Sequence, residues 1–312
     1  MKKFQSWYVW PLLGILSLLA RPAAAEDSTA EDSTAEDSAA QPAAARDAEA
    51  TSEGEWTYPK TYSVRPLTMQ RGMIRANGIF TVWDDGVDTI TGITLGGSIS
   101  VTDDIELGLN NYRIGSSLQQ NYEGLVPVVF TPSAGYGNIP IYGRYRFLHR
   151  EKLDFAGDLI LVMPIDTPFA LEVALPFRIK PKERLSVDTG LEVRGTFGSA
   201  KYADIRIPAI VNYNFSDHAF IAAETGIQFI NLGKSYGTAP NDTKGVAVPV
   251  GFRAGGTWQK PDKHMIDLFG GFSFPTLISS AAYAQANVSR NTIDFGIWDL
   301  FVGVAFYTRP LF

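Results

Sequence analysis

From about residue 66 onward the chain is built of segments of roughly ten to fourteen residues in which apolar and polar side chains alternate. A strict period of two over that length puts one chemistry on each face of an extended strand. Phe169, Leu171, Val173, Leu175, Phe177 and Ile179 point one way, and Ala170, Glu172, Ala174, Pro176, Arg178 and Lys180 the other. In the next segment Leu185, Val187, Thr189, Leu191 and Val193 oppose Arg184, Ser186, Asp188, Gly190, Glu192 and Arg194. Twelve such segments are expected, at about 67–83, 90–102, 104–114, 138–149, 152–163, 169–180, 184–196, 202–215, 218–231, 245–258, 263–275 and 293–308. An even number suits a closed antiparallel sheet with both ends on one side. Every second connection is a tight charged turn, such as Thr102-Asp103-Asp104, His149-Arg150-Glu151 or Ser216-Asp217. The others are longer and polar, notably Gly115 to Gly137, Asn231 to Lys244 and Thr276 to Thr292.

The expected fold is therefore all-β: a transmembrane antiparallel up-and-down β-barrel of about twelve strands, residues 65–312. A soluble barrel turns its charges outward, whereas here the charged face also carries Gly, Ala, Ser and Pro, which suit a crowded concave interior. The apolar face is nearly free of charge at mid-strand. Aromatics near strand ends, Trp83, Phe147, Phe155, Phe169, Phe177, Phe215, Trp258, Phe274, Trp298 and Phe306, would form two interfacial girdles against lipid. Beyond the N-terminus no window approaches the roughly 20 apolar residues of a spanning helix.

Met1 to Ala25 has the layout of a cleavable export signal: Lys2 and Lys3, an apolar run from about Trp7 to Ala20, then small residues. Residues 26–64 read as a disordered acidic periplasmic tail rich in Ala, Glu, Asp, Ser and Thr, opening with the repeat EDSTA EDSTA EDSAA. Within it, Trp56 to Val64 is the stretch that would enter the lumen from below as a small plug. The tail holds most of the acidic excess in a net charge of −6, so the barrel itself is close to neutral, and an acidic chain argues against a nucleic-acid partner.

The last strand, Trp298 to Thr308, alternates Trp298, Leu300, Val302, Val304 and Phe306 toward lipid, and the chain ends on Phe312. Here it resembles the Gram-negative outer-membrane β-barrel class, as does the hairpin Leu95 to Leu109, which is similar to those of poorly characterised porin-like barrels. The resemblance covers about four-fifths of the chain and implies architecture and outer-membrane location. It also implies an assembly signal at Val304, Phe306 and Phe312, read by the barrel assembly machinery; Thr308 and Pro310 depart from that pattern.

Strand parity places Arg75, Glu106, Arg144, Arg146, Asp154, Asp158, Glu172, Arg178, Lys180, Arg184, Asp188, Glu192, Arg194, Asp204, Arg206, Glu224, Arg253, Asp267 and Asp299 in the lumen. Acids and bases oppose each other on adjacent strands: Arg144 and Arg146 face Asp154 and Asp158, while Glu224 lies beside Arg253 and Arg253 beside Asp267. Such rows can line a narrow pore for small polar or ionic solutes. They can equally pair across the lumen and fill it, leaving a non-conducting barrel with a structural or surface role. Pro140, Pro176, Pro208 and Pro249 sit at similar heights, and each is expected to mark a bulge or bend.

Nothing in the sequence points to an enzyme or a cofactor. His149, His218 and His264 all fall in or beside short turns, and no nucleophile-elbow, zincin or phosphate-loop pattern occurs. Asp84, Asp85 and Asp88 are a loop cluster better read as solvated than as a metal site, so none is assigned. The absence of cysteine removes disulfides and thiolate ligands.

Overall fold

The computed structural model describes residues 58–85, 89–109, 139–163, 169–198, 201–233, 243–260, 264–283, 288–293 and 295–312. The export signal, the tail before Tyr58 and the loop 115–137 lie outside the described residues. The strands are β1 (Ile74–Asp85), β2 (Thr89–Ser100), β3 (Ile105–Leu109), β4 (Ile139–Arg150), β5 (Leu153–Met163), β6 (Ala170–Lys182) and β7 (Leu185–Thr196). They continue with β8 (Tyr202–Asn214), β9 (Ala219–Leu232), β10 (Thr243–Lys260), β11 (His264–Tyr283), β12 (Val288–Ile293) and β13 (Ile297–Thr308).

Each strand pairs antiparallel with its sequence neighbour from β1 to β11, β11 pairs with β13, and β13 pairs with β1 from Arg75↔Tyr307 to Asp85↔Ile297. Among the described residues β12 pairs only with β11, against Ile278 to Tyr283, so it extends one hairpin beyond a closed ring of twelve strands. Closure joins the first strand to the last, which is what a strand protein needs where no water can satisfy its backbone.

The alternation is realised strand by strand. Along β7, Ser186, Asp188, Glu192, Arg194 and Thr196 are buried and their neighbours are partly exposed. The outer face carries exposed Leu95, Leu107, Leu159, Val173, Val211, Leu268, Leu300 and Val302. Aromatics gather at both ends of this belt. Phe147, Phe155 and Phe177 pack in series near the short turns, with ring centroids 4.8 and 4.3 Å apart. Phe272, Phe274, Phe295 and Trp298 pack near the opposite rim.

Three expectations need correction. The first strand begins at Ile74, not near residue 67, because the chain from Tyr58 to Met73 lies inside the barrel; the same finding moves Tyr58 to Val64 out of the tail. Most of the stretch 276–292 expected as loop continues β11 to Tyr283 and returns as β12. Of the four prolines, Pro249 alone sits at a register shift, between Val248 and Val250. Pro176 and Pro208 stay in register with Gly190 and Gly226. On its other side Pro208 has no ladder partner in β7, and its free carbonyl accepts a bond from Thr189 Oγ1 at 2.8 Å. Thr225 Oγ1 does the same for Pro249 at 2.9 Å. At Pro208 a hydroxyl on the neighbouring strand thus takes up the carbonyl beside the missing donor without a bulge, while at Pro249 the same bond accompanies the register shift.

The C-terminus meets the base of β1 at Gly72. Its φ of +76° is left-handed, and a Cβ there would stand 2.7 Å from the Phe312 carbonyl oxygen. Gly72 donates to Ser100 O at 2.8 Å and accepts from Leu311 N at 3.1 Å, tying the start of β1 to the C-terminus. Gly72→Ala is expected to destabilise the barrel by about 1–3 kcal/mol through this strained backbone and the contact behind it. A lowered temperature for loss of the compact band in semi-native electrophoresis would register the effect, and an unchanged temperature would refute it.

Candidate functional site

Parity puts the charged side chains on the inner wall. Glu106, Arg144, Arg146, Asp154, Asp158, Glu172, Arg178, Lys180, Asp188, Glu192, Arg194, Asp204, Arg206, Glu224, Arg253, Asp267 and Asp299 are all buried. Arg75 retains 14% side-chain exposure while its Nη2 lies 3.2 Å from Glu106. Arg184 is the exception: it lies in the β6–β7 turn, exposed, 3.7 Å from Asp217. Strand alternation does not carry through a turn.

Neighbouring strands hold these charges in pairs. Arg144 binds Asp158 through both carboxylate oxygens at 2.7 and 2.8 Å, and Arg178 binds Asp188 likewise at 2.6 and 2.8 Å. Such fork-to-fork bonds fix geometry as well as charge. Glu172, Arg194 and Asp204 are direct cross-strand partners along β6, β7 and β8. Arg253 lies 3.6 Å from Glu224 as expected. Two expected pairings differ. Arg146, in register opposite Ala156, pairs with Asp104 at 2.8 Å, and beyond a register shift between Arg146 and Leu148 Asp154 lies opposite His149 and is held by it and by Lys180 at 2.9 Å. Asp267 is bound not by Arg253 but by Arg65, a residue absent from the expected lumen set.

Arg65 belongs to the segment Tyr58–Met73, which crosses the lumen near the short turns. The segment includes a single 3-10 turn, Tyr62–Val64. One side of it packs on an inward apolar cluster of Ile79, Phe220, Met265, Phe269, Phe301 and Tyr307. Tyr62 stacks on Phe220 with centroids 4.3 Å apart. Burying side chains such as Met69 and Met73 contributes roughly 1.5–3 kcal/mol each. The other side meets the polar wall: Ser63 N donates to Asn214 Oδ1 at 2.8 Å, and Met69 N to Glu106 Oε2 at 3.2 Å. Arg178 Nη1 donates to Arg65 O at 2.7 Å, and Arg144 Nη1 to Leu67 O at 2.6 Å.

The Arg65 guanidinium is the centre of this crossing. It binds Asp267 at 2.5 and 2.9 Å and Thr257 Oγ1 at 3.0 Å, and it donates back to Pro59 O and Lys60 O at 3.1 and 2.9 Å. The rings of Tyr58, Tyr62 and Tyr307 surround it at 5.7, 5.2 and 5.5 Å, within cation–π range. Burial pushes the Tyr58 phenol above its ordinary value, with the nearby Arg65 charge pulling the other way. The missed residues left one trace in the sequence: a Tyr- and Arg-bearing stretch bounded by Pro59 and Pro66, which cannot alternate as a strand.

Farther from the turns the interior is different. Gln228 Nε2, Ser273 Oγ and, lower down on β1, both amide atoms of Asn77 are buried without a protein partner among the described residues. A buried polar atom without a protein partner calls for water, and Asn77 lines the same cavity as Tyr58, Tyr62 and Arg65. Of the loop acids, Asp84 accepts a bond from Thr89 Oγ1 at 2.9 Å, whereas the side chains of Asp85 and Asp88 are not described.

A closed strand ring with an apolar belt outside, aromatic clusters at both rims and charges within is a transmembrane β-barrel. Its architecture is similar to solved outer-membrane proteins. An outer membrane channel from Pseudomonas putida F1 is 11% identical, with a TM-score of 0.48 over 78% of this chain and 97% of that one. The NanC porin is 9% identical, with a TM-score of 0.47 over 75% and 98%. The toluene transporter TbuX of Ralstonia pickettii is 11% identical, with a TM-score of 0.36 over 81% and 92%. No protein-family model and no curated protein matches the chain.

Proposed function

We propose that the chain is an outer-membrane barrel of a Gram-negative bacterium that forms a narrow channel for passive passage of small polar or ionic solutes. The observation that carries this reading is the interior away from the turns, where Gln228 lies opposite Arg206 and Ser273 opposite Asp299, and Gln228 Nε2 and Ser273 Oγ have no protein partner among the described residues. An apolar filling would leave those atoms unsatisfied at a cost of about 1–3 kcal/mol each. Water satisfies them, and a hydrated column is what a polar solute needs. In this reading residues 1–25 are the export signal, the short turns face the periplasm, and Val304, Phe306 and Phe312 present the last strand to the assembly machinery.

The crossing segment Tyr58–Met73 favours a second reading, a non-conducting barrel with a structural or surface-interaction role. Planar-bilayer recording of the refolded protein separates the two. Discrete openings are expected; a bilayer that stays silent with inserted, correctly folded wild-type protein and with Arg65→Ala would refute the channel.

A further inference from the structure

We propose that Tyr58–Arg71 is a displaceable gate latched by Arg65 on Asp267, and that its withdrawal opens a pore selective for cations. The proposal rests on the channel reading and adds how the channel closes and what it passes. The segment blocks the turn end because its residues, from Tyr58 and Tyr62 through Arg65, Leu67 and Met69, are almost wholly buried against the wall. Its one regular element is the single 3-10 turn, and it ends before Gly72, whose left-handed backbone and bonds to Ser100 and Leu311 fix the base of β1.

The wall is built to survive the departure. Arg144 and Arg178 give the segment only their Nη1 donors and keep both bonds to Asp158 and Asp188 through Nε and Nη2. Glu106 gives up the Met69 amide and keeps Tyr142 and Arg75. The backbone carbonyls and amides that hold the segment are bonds that water can replace at little net cost. Asp267 differs, because it loses both of its bonds to the Arg65 guanidinium and retains Thr257 Oγ1. Withdrawal therefore removes one cation from the lumen and uncovers one carboxylate at its narrow end, and an acidic constriction favours cations. The latch and the selectivity residue are the same ion pair seen in two states.

Single-channel recording of the full-length protein tests this with three variants. Arg65→Ala should raise the open fraction on the order of tenfold or more, since that factor corresponds to one modest interaction lost from the closed state, and the open pore should prefer cations. Asp267→Asn should also raise the open fraction, yet with the cation preference reduced. In Tyr62→Cys with Phe220→Cys, the two stacked rings are replaced in a chain that has no other cysteine. A short reducible bis-methanethiosulfonate cross-link between them should hold the pore shut until dithiothreitol is added. A cross-linked barrel that conducts as the untreated protein does would overturn the gate while leaving the channel intact. Openings of equal reversal potential in Arg65→Ala and Asp267→Asn would overturn the selectivity assignment. If all variants insert, fold and stay silent, the channel reading fails, and the gate with it. Should Arg65→Ala fail to fold, the cross-linked pair, which keeps the latch, still decides the question.

Discussion

Val173→Arg is expected to lower the stability of the refolded barrel by about 2–4 kcal/mol, while Phe215→Arg, at the turn end of β8, should cost only about 0–1 kcal/mol. Both positions are exposed, at 49 and 54%. In a water-soluble barrel an exposed arginine at either site would be nearly neutral, because surface substitutions usually change stability by no more than about 0.5 kcal/mol. The large cost at Val173 arises only if its surroundings are hydrocarbon. Its magnitude follows from moving a guanidinium from water to the bilayer midplane, offset in part by snorkelling. Equilibrium unfolding by urea in lipid vesicles gives both values. Equal, small losses at the two sites would remove the physical basis for a membrane belt.

The second large effect is expected inside. Arg178→Ala should destabilise the protein by about 3–5 kcal/mol, because truncating one partner of a buried ion pair leaves the other charged and unsolvated. Arg178 is fully buried, bonds Asp188 with both carboxylate oxygens engaged and also donates to Arg65 O. Asn212 Nδ2, 2.9 Å from Asp188 Oδ2, would remain as a weak substitute. Arg178→Ala combined with Asp188→Ala should recover much of the loss, since no lone charge stays behind. Denaturant midpoints for the two single variants and the double measure this directly. Simple additivity would mean that water already solvates Asp188 and that the wall at this level is open rather than paired.

Strand chemistry was legible to a useful depth because alternation is a local property. Lumen residues such as Glu172, Arg178, Asp188 and Arg194 could be assigned from parity alone, and they are buried where parity puts them. Parity failed where its premise did. Arg184 lies in a turn and so does not inherit its direction from the regular strand, whereas Arg146, just before a register shift, keeps the buried face that parity gives it. The prolines misled for a related reason. A missing donor was expected to force a bulge at each, and Pro249 does sit at a register shift, yet Pro208 stays in register while Thr189, on a different strand, takes up its carbonyl.

By itself the sequence determined an antiparallel barrel of about twelve strands and the two chemically distinct faces of each regular strand, because a period of two converts residue order into direction. The tertiary structure decided what the lumen contains. Arg65 reaches Asp267 across 202 positions of sequence, and Tyr62 reaches Phe220 across the barrel's interior. Nothing in the local pattern of Tyr58–Met73 marks these partners. An irregular segment has no periodicity to read, and its place depends on a cavity that exists only after distant strands have closed around it.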